Sequence, residues 1–262
     1  MTSITMWKDR IKYRRHPHSY TYSDRVKKSR LIVRLTKLAF MGVILLVVGA
    51  VVSIPLFAFN LPTPEKIVRR EGFSTKILDR NGETLYDIFI DQRRTPVNLE
   101  DIPVFLKQAT VAIEDKNFYK HQGFDPTGYL RAVFNIVAYR KLQGGSTLTQ
   151  QLVKNALLTP ERTIFRKIKE FILTVQIERK YSKDDILKMY LNEVPYGGTA
   201  WGVETASEIY FGKKVKDLTL VESAILAGIP QRPSYYSPYS SNPKAYIART
   251  QEVLRRMRED GY

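Results

Sequence analysis

The sequence predicts a mainly α-helical domain, with a short β-hairpin before it and one membrane-spanning helix before that. Three observations carry the prediction. From Leu38 to Pro64 there is no charged side chain. Asn81-Gly82, a strong hairpin-turn signal, separates Thr75-Lys76-Ile77-Leu78 from Thr84-Leu85-Tyr86-Asp87-Ile88-Phe89. Beyond about Pro103, apolar residues recur at helical spacing between capping signals, almost to Tyr262.

These divide the chain into a basic tail at 1–37, a signal anchor at 38–59, a connector with hairpin at 60–95 and a helical domain at 96–262. The formal net charge is +16, and the tail holds eleven Lys or Arg against Asp9 and Asp24. A basic block directly before an apolar run sets membrane topology and touches anionic lipid, so the partner is membrane, with no nucleic acid. The run Leu38 to Phe59, apolar except for Ser53 and Pro55, reaches across a hydrocarbon core of about 30 Å at about 1.5 Å per residue. A cleaved signal peptide fits poorly: the run is too long and no small-x-small site follows Phe59. The N-terminus is expected in the cytoplasm and everything after about Asn60 outside. The absence of Cys suits an oxidising compartment without establishing one.

Helix starts follow in order. Asp125-Pro126 reads as an N-cap with Pro at N1, Ser182 to Asp185 and Thr219 to Glu222 fit capping boxes, and Asn242-Pro243 repeats the cap-then-Pro device. Between Tyr129 and Tyr139 apolar residues cover more than half a helical wheel, which predicts a lipid-facing surface. Gly261 sits where a C-cap belongs.

Two segments carry chemistry. In the first, Glu114-Asp115-Lys116-Asn117-Phe118, a carboxylate ends a stripe formed by Leu106, Ala109 and Ile113, beside Phe118, where partial burial suits it to accept a proton. His121 has no metal-like spacing with another His and reads as a packing or hydrogen-bonding residue. In the second, Gly144-Gly145-Ser146-Thr147-Leu148-Thr149-Gln150-Gln151, Ser146 is a plausible N-cap, so backbone N–H groups and two amides stand at a helix start. Gln150, Gln151 and Lys154 are spaced to look onto one groove. Further along, Ile164, Ile168, Phe171, Ile172 and Val175 are expected to form a buried stripe. Arg166 and Lys167 then precede Glu170 at ion-pair spacing.

From about Pro96 to Leu254 these segments resemble, as five motifs in order, the peptidoglycan glycosyltransferases of glycosyltransferase family 51, found in class A penicillin-binding proteins and monofunctional murein polymerases. The remaining motifs are Arg166 to Glu170, Lys183 to Glu193 and Arg249 to Leu254. The resemblance implies a lysozyme-like helical lobe with a smaller membrane-proximal lobe, held in the bacterial cell (inner) membrane. It implies polymerisation of lipid II into β-1,4-linked glycan strands with loss of polyprenyl pyrophosphate. Glu114 is then the base for the acceptor 4-hydroxyl and Glu170 the second carboxylate. Lys154 and Arg162 neutralise pyrophosphate, with Lys167 near the phosphates. Ser146, Thr147, Gln150, Gln151 and Arg166 belong to the substrate-binding set, while Lys183 to Glu193 and Arg249 with Val253 and Leu254 are mainly structural.

No cofactor is required, no ligand cluster predicts a metal, and a divalent cation can assist. Partners are lipid II, the growing strand, membrane lipids and other cell-wall synthesis proteins. A transpeptidase domain can follow this segment in the family. Two alternatives stand: a membrane-bound lytic transglycosylase or muramidase, for which a pyrophosphate cradle has no use, and a lipid-binding scaffold, which leaves the motif order unexplained.

Overall fold

The computed structural model describes residues 30–45, 48–49, 61–68, 75–82, 84–88, 93–126, 128, 145–161, 163–242 and 244–262. The chain divides into two units, Met1–Leu56 and Phe57–Tyr262. In the first, residues 30–45 are helical; Arg30, Arg34 and Lys37 lie in its first half, and Leu38, Phe40, Met41, Val43, Ile44 and Leu45 in its second half are all exposed. Among the described residues no helix is long and apolar enough to cross a membrane. Of the predicted anchor, residues 46–47 and 50–59 lie outside the described residues, as does the wide apolar arc at 129–139.

The second unit is mainly helical. After a short helix α1 (Glu65–Val68), strands β1 (Thr75–Leu78) and β2 (Thr84–Ile88) pair antiparallel about Asn81-Gly82. Gly82 takes φ +85°, and Asp79 accepts the Asn81 N–H at 2.8 Å, so the turn is locally encoded. Strand β3 (Arg93–Arg94) later pairs parallel with β5 (Ala200–Trp201), which also pairs antiparallel with β4 (Pro195–Gly197).

The helical body follows as α2 (Val104–Glu114), α3 (Leu148–Ala156), α4 (Ile164–Lys180), α5 (Lys183–Glu193), α6 (Val203–Phe211), α7 (Leu220–Gly228), α8 (Pro233–Tyr236) and α9 (Ala245–Glu259). Helix α2 packs on α7 and α9, while α3 packs on α4 and α5. One core joins the two groups, with Leu106, Phe118, Leu148, Leu152, Leu173, Ile177, Leu187 and Leu191 all buried. Each such side chain removed from water contributes roughly 1.5–3 kcal/mol, which is what offsets the entropy of ordering the chain.

The capping boxes at Ser182 with Asp185 and Thr219 with Glu222 are present, and each satisfies N–H groups that the first helical turn leaves unpaired. The Asp125 carboxylate accepts from the Asn117 amide at 3.0 Å, and most of the helix expected to follow it lies outside the described residues. Two expectations are corrected. Helix α9 starts at Ala245, with Lys244 rather than Asn242 at the cap position and no side-chain cap, and the Asn242 amide donates to the Tyr235 hydroxyl at 3.1 Å. Helix α4 buries Glu170, Leu173, Thr174 and Ile177, not the predicted stripe, and Ile164 and Phe171 are exposed. An inward Glu170, ion-paired on its own helix, rotates the buried face away from the most apolar arc.

Candidate active site

The site begins where α2 ends. Glu114 is its last residue, and Asp115 leaves the helical conformation as the C-cap with φ −156° and ψ 75°. The buried Asp115 carboxylate accepts the Leu148 N–H at 3.0 Å and meets His121 Nε2 at 2.9 Å. Because the Gly123 N–H donates to His121 Nδ1 at 3.1 Å, Nε2 is the nitrogen that carries the proton towards Asp115. Asp115 and His121 therefore join the end of α2 to the start of α3.

That start is capped by Thr147, one residue later than expected for Ser146. Thr147 Oγ1 accepts the Gln150 N–H at 3.3 Å, and Gln150 Oε1 accepts the Thr147 N–H at 3.1 Å. The reciprocal pair needs an amide three residues after the cap, and only Thr147 has one in register. Thr147 also donates to the Gly123 carbonyl at 2.7 Å. Gly123 lies at φ +85°, and a Cβ there would stand 2.6 Å from the Thr174 methyl, so no other residue fits. Gln150 is consequently buried in the cap and does not join Gln151 and Lys154 on an open surface.

A groove of about 630 Å³ opens beside these elements, lined by Glu114, Asp115, Ser146, Thr147, Gln151, Lys154 and Arg249, and extending past Lys116, Gln231, Arg255, Arg256 and Asp260. The Glu114 side chain is only 5% exposed, yet it forms part of this wall. Its Oε2 accepts from Gln151 Nε2 at 2.8 Å and its Oε1 from Arg249 Nη2 at 3.0 Å. Reading the fifth motif as mainly structural missed this contact. Although Lys154 is exposed to solvent, the groove walls around it partly desolvate its ammonium and so lower its pKa from the ordinary value; Arg166 and Lys167 push the same way, while Glu170 and Glu114 oppose it.

The described residues lining the groove do not include Glu170, Arg166 or Lys167. Glu170 is buried and ion-paired with Lys167, and with Arg166 at 3.7 Å, so the helical spacing of the third motif does produce its pairs. The fields of all three reach Lys154. Arg162 lies outside the described residues. Among the described residues no cluster of three or more His, Cys, Asp or Glu could hold a metal ion.

A family model described as Transglycosylase matches residues 81–258. Penicillin-binding protein 1F of Bacillus subtilis is 39% identical over 239 residues, which is 91% of this chain and 33% of that protein. Penicillin-binding protein 1A of Escherichia coli K12 is 44% identical over 188 residues, 71% of this chain and 22% of that one. A crystal structure of penicillin-binding protein 1A from Haemophilus influenzae aligns over 71% of this chain and 18% of that one, at 25% identity and a TM-score of 0.38. The chain thus spans about a third of the length of its Bacillus relative and less of the Escherichia one. Since the family model takes in well over half of its residues, among them all those lining the groove except Glu259 and Asp260, this chain belongs to the transglycosylase family.

Proposed function

We propose that this domain polymerises lipid II into β-1,4-linked glycan strands on a lysozyme-like helical lobe. Glu114 takes the proton of the acceptor 4-hydroxyl, the oxygen bonds to the anomeric carbon of the donor with inversion, and the carbon–oxygen bond to the polyprenyl pyrophosphate breaks. The leaving pyrophosphate keeps the electron pair, and Lys154, with Arg162, stabilises the charge it gains. Ser146, Thr147 and Gln151 position the sugars. Glu170 holds Lys167 and Arg166 and acts on Lys154 through its field. The observation that carries the reading is a nearly buried Glu114 carboxylate sharing one groove with the Lys154 ammonium.

The uncharged stretch before the domain is the anchor, with the groove outside the cytoplasm; membrane lipids and other cell-wall synthesis proteins are the expected partners. Incubation of the purified protein with lipid-linked disaccharide, followed by product analysis, tests the activity. Polymer is the expected product. Fragmentation of preformed glycan without polymer would make the domain a lytic enzyme, and neither product would make it a scaffold.

A further inference from the structure

The buried surroundings of Glu114 hold two residues from motifs first read as structural. Tyr190 lies on α5 and is fully buried, and its hydroxyl donates to Gln151 Oε1 at 3.2 Å. An ionised carboxylate can only accept, so the amide must present its nitrogen to Glu114 and its oxygen away from it. Tyr190 supplies the donor that the oxygen then needs, and the three groups form a chain in one sense only: Tyr190 O–H to Gln151 Oε1, Gln151 Nε2 to Glu114 Oε2. Burial pushes the Tyr190 hydroxyl well above its usual range, with the charge of Glu114 next, so it remains a donor at neutral pH.

The other carboxylate oxygen is held from α9. Arg249 donates to it through Nη2 and anchors itself through Nε to the Gly228 carbonyl at 3.3 Å, with its guanidinium 5.5 Å from the Tyr236 ring centre. A Cβ on Gly228 would come within 2.8 Å of Arg249 Cγ, so α7 passes close enough to fix the stem of the arginine. On the same helix Arg256 donates to the Ile113 carbonyl at 3.1 Å. Helix α9 therefore grips both the backbone end of α2 and the carboxylate that ends it.

We propose that Tyr190 and Arg249 are positioning residues for the base, Arg249 by holding one Glu114 oxygen directly and Tyr190 by setting the amide of Gln151 that holds the other. This rests on Glu114 being the base. A carboxylate with two of its roughly four lone-pair directions occupied by fixed donors keeps the remaining ones aimed at the groove, and a misplacement of about 1 Å can cost about 10²-fold in rate.

The test uses purified full-length variants and lipid II polymerisation. Tyr190→Phe removes one hydroxyl without removing the ring and is expected to lower kcat roughly fivefold to tenfold with KM little changed. Tyr196→Phe is the internal control. That tyrosine is equally buried, but its hydroxyl has no hydrogen-bond partner among the described residues, so the rate should stay at the parent value. Arg249→Ala is expected to lose about 10²-fold in kcat, and Arg249→Lys to recover part of it.

Combination with Glu114→Gln separates the two ideas. If the pair acts through Glu114, adding Tyr190→Phe or Arg249→Ala to Glu114→Gln costs nothing further. Full additivity, or a Tyr190→Phe enzyme at the parent rate beside an inactive Glu114→Gln, overturns the positioning role and leaves the base in place. A Glu114→Gln enzyme at the parent rate overturns the base itself. Should Arg249→Ala fail to fold, Tyr190→Phe against Tyr196→Phe still decides the amide half, and Arg249→Lys the arginine half.

Discussion

Glu114 and Asp115 are neighbours in sequence with separate surroundings, and substitution should separate them. Glu114→Gln keeps the shape but cannot take a proton, so polymerisation is expected to fall about 10²–10⁴-fold with thermal stability nearly unchanged. Asp115→Asn weakens the links to the Leu148 N–H and His121. It should lower stability by about 1–3 kcal/mol, and its activity should follow the folded fraction. Melting curves beside rates check both. Lys154 makes the opposite case, because burial disfavours its charge. Lys154 is nevertheless exposed to the groove, so solvent screens most of this cost; what remains is present at neutral pH and relieved only as pH rises through the lowered value. Lys154→Met is therefore expected to keep or raise the melting temperature while turnover falls more than donor binding. Loss of stability together with unchanged turnover would mark Lys154 as an ordinary surface charge.

Among the elements, α9 offers a pH experiment. Hydrogen bonding from Arg255, then from Arg256, holds the Glu252 carboxyl at about 2, down from 4.5. Its stabilising contribution is thus complete above about pH 4.5 and lost as pH falls towards 2. Glu252→Gln should melt below the parent at pH 7, and the gap should close by pH 2. The elements also divide what the sequence could tell. Capping boxes at Ser182 and Thr219 were legible because donor and acceptor lie three residues apart. The cap of α3 lies one residue past Ser146 because the capping box needs Gln150 three residues on, a spacing that the sequence carries at Thr147. On α4 the period was right and the phase was wrong, since burying Glu170 depends on partners that an apolar count does not weigh. Glu114 itself was legible from its local stripe. Its grip by Arg249, 135 residues away, was not, because no local pattern encodes a contact between two helices.

For the whole molecule, charge and hydropathy argue orientation. The tail before Leu38 carries eleven cations, and the following stretch to Pro64 carries no charge. Cysteines introduced singly at Ser19 and Ser74 should differ on intact cells: an impermeant thiol reagent should label Ser74→Cys and spare Ser19→Cys. The reverse pattern would place the groove in the cytoplasm. The reach of α9 back to α2 also bears on the order of synthesis. A ribosome makes the end of α2 long before Arg249 and Arg256, so a nascent chain lacks the arginines that bond the Glu114 carboxylate and the Ile113 carbonyl until α9 has emerged. Non-local closure of this kind is slow relative to helix formation. The wall of the groove at Glu114 is thereby completed only once α9 is made, and a ribosome stalled anywhere before residue 249 presents a chain whose Glu114 carboxylate lacks its arginine partner.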